Sequence, residues 1–120
     1  VVNPKSLSRL VARSVLFGDL AEAPVPFLCV ATDLLSGRQV ELRSGDAVDA
    51  VMASCALPGL FPPVTIGGCQ LIDGGVANNV PIANAVAAGA TRIFVLPAGH
   101  ACAPRARPAV RSTSCCTPCR

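Results

Sequence analysis

The stretch Gln70-Leu71-Ile72-Asp73-Gly74-Gly75 joins an apolar run to a carboxylate, and the carboxylate to two glycines. Leu71 and Ile72 read as the end of a short buried strand, with Asp73 at its C-terminal tip. In α/β sheets, ligands and chemistry gather at the carboxyl ends of strands. A carboxylate at such a tip is held by rigid backbone while its oxygens face a cleft. Gly74 and Gly75 are expected to turn the chain with φ > 0 and to let another group approach the backbone closely. Two readings of Asp73 stand side by side. It is a general base, or it merely ends the strand and caps the next turn, as Asp often does. Asp-Gly-Gly alone is a common turn signal and does not decide between them.

The rest of the chain alternates helical and strand patterns. Asn3-Pro4 reads as a helix start, with Asn as N-cap and Pro at the first helical position. Leu7, Leu10, Val11 and Val15 recur at helical spacing on one face, and Gly18 is the expected stop. Phe27 to Thr32 is a continuous apolar run suited to a strand buried on both faces. Ser36-Gly37 turns the chain into an alternating strand, Gln39 to Arg43. Ser44-Gly45-Asp46 offers a cap for a second helix, marked by Val48, Val51, Met52 and Cys55 and expected to stop near Leu57, ahead of Pro58. Leu57 to Pro63 is a proline-stiffened loop. Gly67-Gly68 separates two short strands as a hairpin turn requires. Pro81 opens a third helix, with Ile82, Ala85, Val86 and Ala88 packing and Gly89 as its stop. Arg92 to Leu96 reads as another buried strand. Strand, helix, strand in that order suggests a right-handed parallel crossover.

Composition narrows the class. Hydrophobic residues make up 52% of the 120 and charged residues 14%, so the chain is built to bury surface. Four of the ten basic residues, Arg105, Arg107, Arg111 and Arg120, lie at the end, and the remainder is close to neutral. No nucleic-acid footprint emerges. Pro58, Pro62 and Pro63 break the apolar runs, and none reaches the ~18 residues that span a bilayer. Cys29, Cys55 and Cys69 sit in apolar patterns and read as small buried residues. The odd total of seven cysteines yields no disulfide framework, which points to a reducing, cytoplasmic setting. The first residue is Val, and the chain reads as an excerpt of a longer one.

Four blocks together resemble the patatin-like phospholipase family of lipid acyl hydrolases. They are Val25-Pro26-Phe27 through Asp33 with Ser36-Gly37, Ala53-Ser54-Cys55-Ala56-Leu57-Pro58-Gly59 through Val64, Asp73-Gly74-Gly75 with Asn78-Asn79-Val80-Pro81, and Gly89-Ala90 leading into Arg92 to Leu96. Their order and spacing match the family from about Val2 to Gly99. The resemblance implies an α/β three-layer sheet sandwich, incomplete here on its N-terminal side. Residues 1–103 would be the C-terminal part of that domain, and residues 104–120 a disordered or aberrant Cys/Arg/Pro-rich tail. It also implies a Ser–Asp dyad in which Asp73 takes the serine's proton and Gly74 and Gly75 shape the loop. The substrate would be a lipid or other acyl ester, with no cofactor and no metal, and with peripheral membrane contact as one option.

The chain departs from the family at the nucleophile. No serine here sits in a Gly-x-Ser-x-Gly elbow, and the Gly-rich oxyanion segment is missing. The chain as it stands carries the base half of a dyad and is expected to be inactive and poorly soluble alone. Ser54 as a substitute nucleophile competes with a helical serine bonded to its preceding turn. Asp33 reads as a turn residue, and Asn78 and Asn79 as loop anchors that cap the helix at Pro81. His100 has no visible orienting partner. Two further readings remain: a zinc site from His100, Cys102, Cys115, Cys116 and Cys119, and a non-catalytic remnant that binds a partner through a sheet edge.

Overall fold

The computed structural model describes residues 3–96. Four strands form one antiparallel sheet: β1 (Cys29–Asp33), β2 (Gln39–Leu42), β3 (Val64–Ile66) and β4 (Cys69–Asp73), in the order β2-β1-β4-β3. Three α-helices accompany it, α1 (Pro4–Ser14), α2 (Ala47–Ser54) and α3 (Ile82–Ala87), giving mixed α/β content.

The central strand is the apolar run. Cys29, Val30, Ala31 and Thr32 are all buried, as a strand covered on both faces requires. Its register sets the two faces. Cys29 lies opposite Leu42 and Ala31 opposite Val40, while Ala31 also faces Asp73 and Asp33 faces Leu71. Side chains alternate along a strand, so Cys29, Ala31, Leu42 and Leu71 share one face. With Leu20 they form the core, and α2 lays Ala47, Ala50 and Ala53 against them. Three alanines spaced by three let helix and sheet approach closely. The face expected of α2 holds in part: Met52 is buried and half-buried Val51 packs against the core, whereas Val48 is half-buried and Cys55 exposed.

Asn3 caps α1 by accepting the Lys5 N–H at 3.0 Å. The helix ends at Ser14, four residues before Gly18, and Val15 is extended. The cause lies downstream. Gly18 O accepts from Ala47 N at 2.9 Å, and Leu20 N donates to Gly45 O at 3.0 Å. Residues 18–20 are thus drawn out alongside the start of α2. That helix also ends early, at Ser54, because the Ala56 carbonyl accepts from Asp73 N at 3.0 Å.

The chain beyond β4 crosses the opposite sheet face. Side chains of Asn78 and Asn84 bond Gln39 and Glu41, which alternate away from Val40 and Leu42 on β2. Gly67 and Gly68 have φ of 59° and 82°, so the β3–β4 hairpin turns as expected. Gly89, at φ 91°, follows the C-cap of α3 as its stop.

The parallel crossover is not found. Among the described residues every strand pair is antiparallel, and Arg92 to Leu96 forms no strand. Phe94 is 81% and Leu96 91% exposed. An apolar segment becomes a strand only with a neighbour to accept its hydrogen bonds, and among the described residues none lies beside it. Nor is any described helix long and apolar enough to cross a membrane.

Candidate functional site

Asp73 is fixed from three directions. Its N–H donates to Ala56 O at 3.0 Å. Its carbonyl accepts the hydroxyl of Thr32, a residue 1% exposed, at 2.9 Å. Its carboxylate Oδ1 accepts the Gly75 N–H at 2.7 Å. Asp73 therefore ends β4 and caps the short 3-10 turn Gly74–Val76. Capping occupies one carboxylate oxygen. Among the described residues, Oδ2 accepts no hydrogen bond.

The two glycines work by close approach, not by positive φ; neither adopts a left-handed conformation. A Cβ on Gly74 would overlap the Val30 carbonyl oxygen and lie 2.6 Å from its carbon. A Cβ on Gly75 would come within 3.1 Å of Asp73 Oδ1 and 3.3 Å of Asn79 Oδ1. Gly74 must lack a side chain for the turn to sit against β1, whereas at Gly75 the crowding is with side chains that can give.

Asp73, Gly74 and Gly75 border a cavity of about 370 Å³. Phe27, Leu28, Val51 and Cys55 supply apolar wall, and Asn79 lines it as well. Val51, which also packs against the core, and exposed Cys55 thus line this cavity.

Ser54 also lines the cavity, but its Oγ donates to Val30 O at 2.7 Å. The expected bond to the preceding helical turn is replaced by one to β1, and its hydrogen is engaged there. Val30 O thus accepts from Ser54 and also lies where a side chain on Gly74 would have to go.

The cysteines differ from expectation. Cys29 is buried, whereas Cys55 and Cys69 are exposed. Burial, and secondarily the nearby Cys55, pushes the Cys29 thiol up to about 11. Desolvation in the cavity wall, followed by the Asp73 carboxylate, raises Cys55 as well. Both effects disfavour thiolate next to Asp73.

Asp33 is a turn residue, as expected. Its Oδ2 accepts from both the hydroxyl and the N–H of Ser36, which holds its carboxyl below the usual range, the hydroxyl contributing most. Asn78 anchors the loop, donating to Gln39 Oε1 at 2.7 Å and Asn84 Oδ1 at 3.2 Å. It does not cap α3: Pro81 holds the N-cap position without a side-chain bond. The packing face expected for α3 is not its buried one. Ile82 and Val86 are 46% and 58% exposed, while Asn84 is 5% exposed.

The long-range bonds of Thr32 to Asp73, of Ser54 to Val30 and of Asn84 to Glu41 are what sequence reading missed. A lone asparagine inside the apolar run Ile82 to Ala88 was the one visible signal. Among the described residues no group of three or more His, Cys, Asp or Glu is arranged to hold a metal ion. His100, Cys102, Cys115, Cys116 and Cys119 lie outside the described residues.

The family model for patatin-like phospholipases matches residues 2–86, a span holding β1 to β4, the Asp73 turn and nearly all of α3. An uncharacterized NTE family protein of Mycobacterium tuberculosis is 39% identical over 64 residues, covering 53% of this chain and 18% of that protein. A second uncharacterized NTE family protein of that species is 45% identical over 58 residues, covering 48% of this chain and 10% of the relative. The lysophospholipase NTE1 of Lodderomyces elongisporus is 31% identical over 83 residues, covering 69% of this chain but 6% of its own length. The chain therefore matches only a small part of each of these relatives. The match over residues 2–86 places this chain in the patatin-like phospholipase family.

Proposed function

We propose that these residues are the base-bearing part of a serine acyl hydrolase of lipid esters, with Asp73 as the general base. The observation that carries this reading is Asp73 lining a part-apolar cavity, with Oδ1 tied down by Gly75 and Oδ2 accepting no hydrogen bond among the described residues. A carboxylate held in one pose can take a proton without reorganising in the transition state. The serine, absent from any Gly-x-Ser-x-Gly here, comes from a part of the protein outside these 120 residues, and the chain is a fragment of the full three-layer sandwich.

In the proposed reaction, the serine Oγ attacks the ester carbonyl as its proton passes to Asp73. Collapse of the tetrahedral species expels the alcohol, which takes the proton from Asp73. Water, deprotonated by Asp73, then releases the fatty acid from the acyl-enzyme. The relative named a lysophospholipase favours a phospholipid ester with one acyl chain. Val76, Val80 and Ile82, at 59%, 44% and 46% exposure, follow the Asp73 turn and suit peripheral contact with a lipid surface.

The test is Asp73→Asn in the complete protein, with fatty-acid release from a lysophospholipid as readout. General-base loss lowers kcat about 100-fold or more while the thermal midpoint holds. Unchanged turnover rejects Asp73 as the base. A fluorophosphonate that labels the complete protein but not the 120-residue chain supports an outside serine.

A further inference from the structure

The turn after Asp73 is tied to β2 by a directed chain of polar side chains. Asn84, 5% exposed on α3, donates from Nδ2 to Glu41 Oε1. A carboxylate only accepts, so the amide of Asn84 must face Glu41 and its carbonyl must face away. That carbonyl accepts from Asn78 at 3.2 Å, and Asn78 donates again to Gln39 at 2.7 Å. Arg43 closes the far end, giving two hydrogen bonds to Glu41 Oε2 at 2.9 and 2.7 Å. Glu41, able only to accept, fixes which way the Asn84 amide faces and with it the direction of the Asn84–Asn78 bond.

The near end meets the candidate base. Asn78 N–H donates to Gly74 O at 2.8 Å and closes the turn. Within that turn, Gly75 N–H holds Asp73 Oδ1. The side chain of Asn78 thus moors to β2 the same turn whose first amides orient the carboxylate. Glu41 and Asn84 are 32 and 11 residues from Asp73 in sequence, and neither borders its cavity.

We propose that Glu41 and Asn84 are positioning residues that, through Asn78, set the pose of the Asp73 carboxylate. The functional consequence rests on the reading of Asp73 as a base, but the mooring itself is a statement about the turn. It can therefore be measured without activity.

The experiment is amide hydrogen exchange by mass spectrometry on the full chain, comparing peptides over residues 73–80 with peptides over β1 and β3. Asn84→Asp sets two carboxylates against each other and speeds exchange in the 73–80 peptide about tenfold or more. Glu41→Gln alone has a smaller effect in the same direction, because a glutamine carbonyl can still accept. The double variant Glu41→Gln with Asn84→Asp reverses one link, since glutamine now donates to aspartate and Asn78 still finds an acceptor. It restores protection, which a role in bulk packing does not predict. Unchanged exchange in Asn84→Asp, exchange that rises equally over β1 and β3, or a double variant that fails to restore protection overturns the proposal. Normal mooring in a chain whose complete protein ignores Asp73→Asn would reject the base and leave the mooring standing.

Discussion

Gly74 and Val30 are in such close contact that a methyl group on Gly74 would occupy the space of the Val30 carbonyl oxygen. The obstacle is central-strand backbone, which cannot rotate aside as a side chain can. Gly74→Ala is therefore expected to destabilise the fold by about 3 kcal/mol, at the upper end of overpacking penalties. Urea unfolding of the two chains measures it, and a loss under about 0.5 kcal/mol would show that the turn lifts off β1 freely. Gly75→Ala should behave differently. Its new methyl meets the Asp73 and Asn79 side chains, which can shift, so stability falls less.

The same carbonyl accounts for Ser54. Removing its hydroxyl takes away the 2.7 Å bond to Val30 O. A hydrogen bond left half-made in a partly buried place costs about 1–3 kcal/mol. Ser54→Ala is expected to fall in that range by chemical denaturation. In the complete protein Ser54→Ala keeps more than about a tenth of the acyl-ester turnover, because general-base and nucleophile roles cost far more. A loss of turnover as large as that of Asp73→Asn would make Ser54 part of the chemistry.

The parts of this fold that were legible in the sequence are those whose cause is local. The start of β1, Cys29 to Ala31, is apolar because both its faces are buried, and Gly67-Gly68 marks a turn because the backbone there needs positive φ. Asp73 was legible as a strand tip for the same reason. What escaped depends on partners far along the chain. Ser54 bonds a residue 24 positions away, and Asn84 one 43 positions away. On α2, Val51 and Met52 were legible as inward residues, but the Ala47, Ala50 and Ala53 seam escaped because alanines carry little hydrophobic signal, although they allow the closest approach to a sheet. Arg92 to Leu96 has the composition of a strand, but composition supplies no neighbour to pair with.

Thiol reactivity offers a direct check on the cavity wall. A thiol moved from 9.0 to about 11 holds about 100-fold less thiolate near neutral pH. Cys29 is also buried, so among the three described cysteines iodoacetamide at pH 8 should alkylate exposed Cys69 first and Cys29 last, with Cys55 between them. Peptide mass spectrometry over time reads the order. The neutral thiol of Cys29 is favoured in the folded chain, so its contribution to stability is full below 9.0 and is lost as pH rises through about 11. Cys29 labelling as fast as Cys69 in folded protein would mean that β1 is not covered by α2.

Glu41 predicts the behaviour on the acid side. Its carboxyl is held below the ordinary 4.5, by hydrogen bonds from Arg43 first and Asn84 second. A group with a depressed folded pKa binds fewer protons folded than unfolded, so stability rises with pH across that window. The contribution is fully present above 4.5 and disappears as pH falls through the lower folded value. Asp33, held down by Ser36, acts in the same direction. Thermal midpoints measured from pH 6 downward should therefore decline, and Glu41→Gln should flatten that decline without abolishing it. The carboxylate is exposed and partly screened, so the change in slope is modest and shrinks in high salt. An acid limb identical in both chains would mean that Arg43 and Asn84 contribute nothing through the charge of Glu41, and the direction of the polar chain would then need another cause.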